Sequence, residues 1–195
     1  MQYDLFGLQQ AMSKVQTEKR FYHTLGVQTT SFTMALKHGA DEEKALIAGL
    51  LHDSAKCLTN EVLLSECCQY GIPISKAEEK SPYLLHGKLG AYYAEFKYGI
   101  TDKEILSAIC YHTTGKPNMT LLEKIVFTAD YIEPGRYSDR IPNLHEIRVL
   151  AYNNLNLAVY RILENTLNYL KKVQLEIDST TELAYEYYKS NINNN

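Results

Sequence analysis

An all-α helical bundle is the fold class this sequence predicts. Helix-start and helix-stop residues recur along the chain, and the apolar residues between them repeat at the three-to-four spacing of one helical face. No alternating, β-branched strand pattern of useful length occurs. No internal repeat divides the chain, and its 195 residues are enough for one domain with a sizeable core. We therefore expect a single domain over residues 1–195. Its core should run from about residue 18 to residue 173, with an N-terminal helix before it and a helical extension after it.

Leu5, Leu8, Met12 and Val15 follow one face of a first helix. The next spans Glu18 to His38 and is stopped by Gly39; Val27 and Met34 share the face of His23, while Phe21, Leu25, Phe32 and Leu36 form a second stripe, so both sides should be buried. A third helix starts after Asp41 and runs through Ala45, Ala48 and Gly49 to His52, small residues that admit a close neighbour. Asn60 heads a segment closed by Gly71, and Ser81-Pro82 reads as a cap plus a first-turn proline opening a helix that ends near Gly99. Thr101 with Glu104, and Thr120 with Glu123, read as capping boxes. From Leu155 a stripe of Val159, Ile162, Leu163, Thr166, Leu170 and Val173 marks a long helix, a last one covers about Glu182 to Ser190, and the polar tail Asn191 to Asn195 should fray.

A formal charge of -3 without a long basic run disfavours an extended nucleic-acid footprint, though not a compact anionic ligand. Cys57, Cys67, Cys68 and Cys110 show no C-x-x-C spacing, and the start of the chain lacks the layout of a secretion signal, so a reducing cytoplasm is the expected location. No apolar run approaches the length of about 18 residues needed to span a bilayer.

Chemistry concentrates on six residues in the order His23, His52-Asp53, His86, His112, Asp130. Adjacent His and Asp at a helix end can bind one metal and bridge to another, and the whole set reads as a dinuclear site of nitrogen and oxygen donors. Asp53 shares a stripe with Leu46 and Leu50, and Asp130 with Leu122 and Val126. A buried carboxylate without a cation costs several kcal/mol. No arginine lies between Arg20 and Arg136, so a metal is the expected partner of Asp53. Alone, His23 also reads as a core residue bonded to a carbonyl, and His112 as a helix-end residue suited to the helix dipole; His38, at a helix C-terminus, and His145, in a polar stretch, lack such context and are read as capping or surface residues.

Two divalent ions less two aspartates, with Lys56 added, make an electropositive pocket suited to polyphosphate. A metal pair about 3.5 to 4 Å apart can acidify water and hold both oxygens of an in-line displacement, so hydrolysis at phosphorus is the expected reaction. Lys56, four residues after His52 on the expected helix, is placed to neutralise phosphate, and Thr113, Thr114 and Gly115 offer hydroxyls and backbone. The Glu133-Pro134-Gly135-Arg136 turn should aim Arg136 at the metal rim as a phosphate clamp. Tyr22, Tyr111, Tyr131 and Tyr137 lie beside site residues and are candidates to stack on a base.

These residues resemble the HD-domain metal-dependent phosphohydrolases, and more closely the bacterial YqeK family of symmetrical diadenosine tetraphosphate hydrolases. The resemblance runs from about Arg20 to Lys172. It rests on Arg20 and His23, on His52-Asp53-Ser54-Ala55-Lys56, on Ser81-Pro82 with His86-Gly87, on His112-Thr113-Thr114-Gly115 and on Ala129 to Arg136. It implies an HD-domain helical bundle in which His23, His52, Asp53 and Asp130 hold the principal metal, iron above manganese or another divalent ion. His86 and His112 would face a second metal or the phosphates, and Thr113 and Arg136 would contact ADP. The expected substrate contacts are His23, His86, His112, Thr113, Asp130, Arg136 and Lys56, and the expected catalytic groups Asp53, Asp130 and Lys56. The implied substrate is a dinucleoside polyphosphate and the product ADP; monomer and homodimer both remain open. Another HD-type nucleotide phosphohydrolase, or a nucleotide-sensing module without turnover, are the competing readings.

Overall fold

The computed structural model describes residues 3–137, 139 and 141–193. Among these residues there are eleven α-helices, one 3-10 turn and no strand, as the periodicity predicts.

Helix α1 (Leu5–Val15) buries Leu8 and Met12, while Val15 stays exposed. Helix α2 (Glu18–His38) starts where the Thr17 side chain accepts from Arg20 N, and ends at Gly39 in the left-handed region, where a glycine is unstrained. Its His23 face is buried as expected, but the second stripe is only half-buried and Leu36 is exposed. Helix α3 (Glu42–Leu51) is capped by Asp41, and α4 (Asn60–Gln69) by Thr59.

The Ser81-Pro82 reading is corrected by the structure. Ser81 makes no side-chain cap, Pro82–Leu85 is a 3-10 turn, and helix α6 (His86–Phe96) begins only after it. Before that turn, a five-residue helix α5 (Lys76–Lys80) carries a complete capping box between Ser75 and Glu78. Helix α7 (Lys103–Tyr111) is capped by Asp102, whose carboxylate accepts from Glu104 N and Ile105 N, so the Thr101 box does not form. The Thr120–Glu123 box does, at the start of α8 (Leu121–Ile132). The stretch around His145 is helical, α9 (Leu144–Asn153). Helix α10 (Leu155–Lys172) buries Val159, Ile162 and Leu163, with Val173 exposed, and α11 (Ser179–Asn193) takes in Asn191 to Asn193 of the expected frayed tail; Asn194 and Asn195 lie outside the described residues.

The core lies where α2, α3, α7 and α8 meet, filled by Met34, Ile47, Leu50, Leu51, Ile105, Ile109 and Ile125, with α10 behind α8. Helices α2 and α3 touch backbone to backbone: a Cβ on Gly49 would sit 3.0 Å from Gln28 Cα. A Cβ on Gly87 would sit 2.6 Å from Cys110 O, so α6 and α7 approach just as closely beside His86 and His112. A smaller apolar cluster of Ala55, Leu63, Leu85, Leu89 and Tyr93 lies under α4 and α6. These close approaches bring helix ends from distant parts of the chain to one point.

Candidate metal centre

All six expected ligands converge. His23 projects from α2 and Asp130 from α8. His52-Asp53 follow the last residue of α3, His112 follows α7, and His86 opens α6. Three of the histidines are fixed in one way: Nδ1–H donates to the carbonyl three residues earlier, at 2.7 Å to Gly49 O for His52 and 2.7 Å to Ile109 O for His112, with the bond from His86 to Tyr83 O shorter still. A carbonyl can only accept, so the proton is on Nδ1 and the Nε2 lone pair faces inward.

Asp53 sits among them. Its Oδ2 is 3.3 Å from His52 Nε2 and 3.7 Å from His23 Nε2, and its Oδ1 is 3.4 Å from His86 Nε2 and 3.6 Å from His112 Nε2. One carboxylate oxygen thus faces each half of the cluster. Asp130 Oδ1 is 3.0 Å from His23 Nε2 and 4.0 Å from His52 Nε2. The donor atoms of His23, His52 and Asp130 all lie within 4.8 Å of one another, as do those of His52, Asp53 and His112.

This arrangement fits a cation. The Nε2 atoms of His23 and His52 are buried with no hydrogen-bond partner; the Asp130 contact of His23 is close but out of line for one. His86 Nε2 and His112 Nε2 are 3.1 Å apart. Two lone pairs at that distance repel, and the Thr113 hydroxyl, 3.1 Å from one and 3.0 Å from the other, can donate to only one of them. Burial, reinforced by Lys56 and His112, pushes His86 down to about 3, so it does not supply a proton at neutral pH. Burial works against the charge of Asp53, yet His52, His112 and His86 hold its carboxyl well below the usual range; Asp130 is held down in the same way by His23, Arg136 and His52.

The expectation that Asp53 lacks an arginine is overturned. Arg20, three residues before His23 and so nearly on its face, places Nη1 2.8 Å from Asp53 Oδ2. Arg136 returns as expected from its turn, but to Asp130: Nη2 lies 2.6 Å from Oδ1 and Nε donates to the backbone O at 2.9 Å. Lys56 is also placed differently. Helix α3 stops at Leu51 and tight turns follow, with Lys56 N donating to Asp53 O at 3.1 Å. Its ammonium still reaches the site, 3.3 Å from His86 Nε2, and burial lowers its pKa.

Sequence reasoning missed Arg20 as an ion-pair partner, and it missed the role of Glu133. Glu133 is buried; its Oε1 accepts from His23 Nδ1 at 3.0 Å and its Oε2 accepts from Gly135 N. This carboxylate fixes the His23 ring with Nε2 inward, and together with Asp130 it raises the His23 pKa against the effect of burial. Arg148 holds the turn below, its guanidinium donating to Ile132 O, Glu133 O and Arg136 O.

A cleft of about 930 Å³ opens from His23 and Arg136 between the start of α2 and the turn after α8. Tyr22 and Tyr137 line it and are 65% and 69% exposed. Tyr131 is instead half-buried with its hydroxyl taking the Asn165 amide, and the Tyr111 ring is covered by Lys116. Of the loop Tyr137 to Pro142, Ser138 and Arg140 lie outside the described residues. Thr114 spends its hydroxyl on Gly115 O.

Residues 20–135 match the HD domain family. The symmetrical bis(5'-nucleosyl)-tetraphosphatase of Bacillus subtilis is 39% identical over 174 residues, covering 89% of this chain and 91% of that one. The protein of the same name from Halalkalibacterium halodurans is 41% identical over 172 residues, covering 87% and 88%. Among solved structures, one described as a "predicted HD superfamily hydrolase involved in NAD metabolism" from Clostridium acetobutylicum superposes with a TM-score of 0.92 at 37% identity, over 97% of this chain and 98% of that one.

Proposed function

This chain belongs to the HD-domain family, within the group of symmetrical bis(5'-nucleosyl)-tetraphosphatases, and on that premise we propose that it hydrolyses diadenosine tetraphosphate to two ADP. The observation that carries the reading is the inward convergence of four Nε2 atoms on Asp53 and Asp130. We take residues 1–195 as a single HD domain with its core at about 18–173, against which Leu8 and Met12 of α1 and Ala184 and Tyr188 of α11 also pack.

His23, His52, Asp53 and Asp130 would hold the principal metal, with Asp53 turned through its second oxygen towards His86 and His112 at a second position. Iron is our first choice and manganese the next, as the family resemblance implies; the imidazole and carboxylate donors, with no thiolate among them, suit either and do not choose between them. A bound divalent ion supplies Lewis acidity to phosphoryl oxygens and lowers the pKa of water. Asp130 orients the attacking water towards one central phosphorus. The oxygen bridging the two central phosphates leaves with the other half, so one water yields two identical products. Lys56 and Arg136 neutralise the charge that develops on the phosphates, and the Thr113 hydroxyl offers a donor to the same oxygens, while the inward Nε2 lone pairs of His86 and His112 would serve a second cation against which those oxygens lie. For Arg136 this requires exchanging its bond to Asp130 for phosphate. Four unpaired thiols support a reducing cytoplasm as the working compartment; among the described residues no helix is long and apolar enough to cross a membrane.

Incubating metal-loaded protein with diadenosine tetraphosphate and resolving the products by chromatography tests the proposal. ADP alone is expected. AMP with ATP, or no turnover, refutes it.

A further inference from the structure

We propose that the cleft between α2 and the turn after α8 is a nucleoside subsite, in which Tyr22 and Tyr137 flank the base of one half of the dinucleotide. The inference rests on the reading above, and it adds an assignment for the part of the substrate farthest from the metal.

Three observations converge. The cleft begins at the reaction centre, since His23, Glu133 and Arg136 form its inner wall, so phosphate held at the centre leads the attached nucleoside directly into it. Its volume of about 930 Å³ lies in the range of about 300–1,000 Å³ that takes a ligand of nucleoside-diphosphate size. Its mouth carries two large aromatic rings, Tyr22 and Tyr137, that the fold leaves 65% and 69% exposed. The other two tyrosines beside the site are already engaged, Tyr131 by Asn165 and Tyr111 by Lys116.

The chemistry of the substrate requires such an arm. A molecule cut at its centre into equal halves must extend both ways from the metal, one way past Lys56 and His86 and the other past His23 and Arg136. Stacking suits the second arm because every base offers a π face and no buried polar group needs to be matched. Lys19 and Arg20, at the start of α2, line the same cleft and complement the phosphates entering it.

Steady-state kinetics of the metal-loaded Tyr22→Ala, Tyr137→Ala and Tyr22→Phe variants on diadenosine tetraphosphate test this. We expect KM to rise about tenfold in each alanine variant, with kcat within about twofold of wild type, and the phenylalanine variant to behave as wild type. Both side chains are exposed, so melting temperatures should not move. Calorimetry with ADP separates this inference from the activity itself: two ADP per metal-loaded chain, falling to one in Tyr22→Ala, support the subsite even if the wild-type protein turns nothing over. A single ADP on the wild-type chain, or KM unchanged in both alanine variants, overturns it.

Discussion

Replacing Glu133 with glutamine should loosen the metal without emptying the site of ligands. The wild-type carboxylate accepts from two donors at once, His23 Nδ1 at 3.0 Å and Gly135 N, and it is only 3% exposed. Glutamine keeps the shape but offers one oxygen and one NH2 group, so one of the two donors must face another donor. If the amide faces Gly135, the turn that carries Arg136 opens. If it faces His23, the ring must move its proton to Nε2, which removes the lone pair from the metal. Either way one charge-assisted bond is lost, about 1.5–3 kcal/mol, or about 10- to 150-fold in an equilibrium constant. That agrees with the loss of about 10–100-fold usual when a group orienting a metal ligand is changed. Competition for the metal against a chelator of known affinity reads the effect directly. A Glu133→Gln protein whose affinity stays within about twofold of wild type would show that the charge of this carboxylate is not needed to keep His23 Nε2 free for the metal.

The remaining expectations concern the ligands, the arginine and acid. His52→Ala and Asp53→Ala should each lose bound metal and all measurable turnover; metal analysis and product chromatography check this, and an active Asp53→Ala enzyme sinks the site. Arg136→Ala should retain metal but raise KM about 10- to 100-fold, since a charged hydrogen bond to phosphate is lost; an unchanged KM removes Arg136 from the substrate site. For the metal-free protein, His86 is held at about 3 in the fold against about 6.5 unfolded, so the unfolded state binds the extra proton between those values. The stability due to this group is fully present above about pH 6.5 and is lost as pH falls, by about 1.4 kcal/mol per unit. The raised His23 opposes this only above its unfolded value, because below that it is protonated in both states. Denaturant unfolding at pH 6 and at pH 4 should show the loss, and equal stability at the two values would contradict a neutral, buried His86.

What could be read from the sequence followed the range of the interaction. The ends of α2 and the Thr120–Glu123 box depend on contacts three or four residues apart, so local pattern found them. Four histidines and two aspartates on apolar faces were legible because such groups need partners when buried. Helix α9 was not, because its N-cap Asn143 takes a positive φ and makes no side-chain cap. Ser81-Pro82 misled because the chain ties itself into a 3-10 turn through His86 Nδ1 and Tyr83 O, while the Ser75–Glu78 box was a readable signal left unread. The pairs Arg20 with Asp53 and His23 with Glu133 join positions 33 and 110 residues apart. No local rule reaches that far, and counting arginines between two positions in the chain says nothing about which one arrives in space.

Arg20 and Arg136, each bonded to a ligand aspartate, have a consequence for folding without metal. With two guanidinium groups already balancing two carboxylates, the pocket is electrically settled before any ion enters, and the polypeptide can finish folding empty. Metal acquisition then becomes an exchange of one counter-charge for another in a completed molecule. Stripping one ion to install another should leave the helices standing.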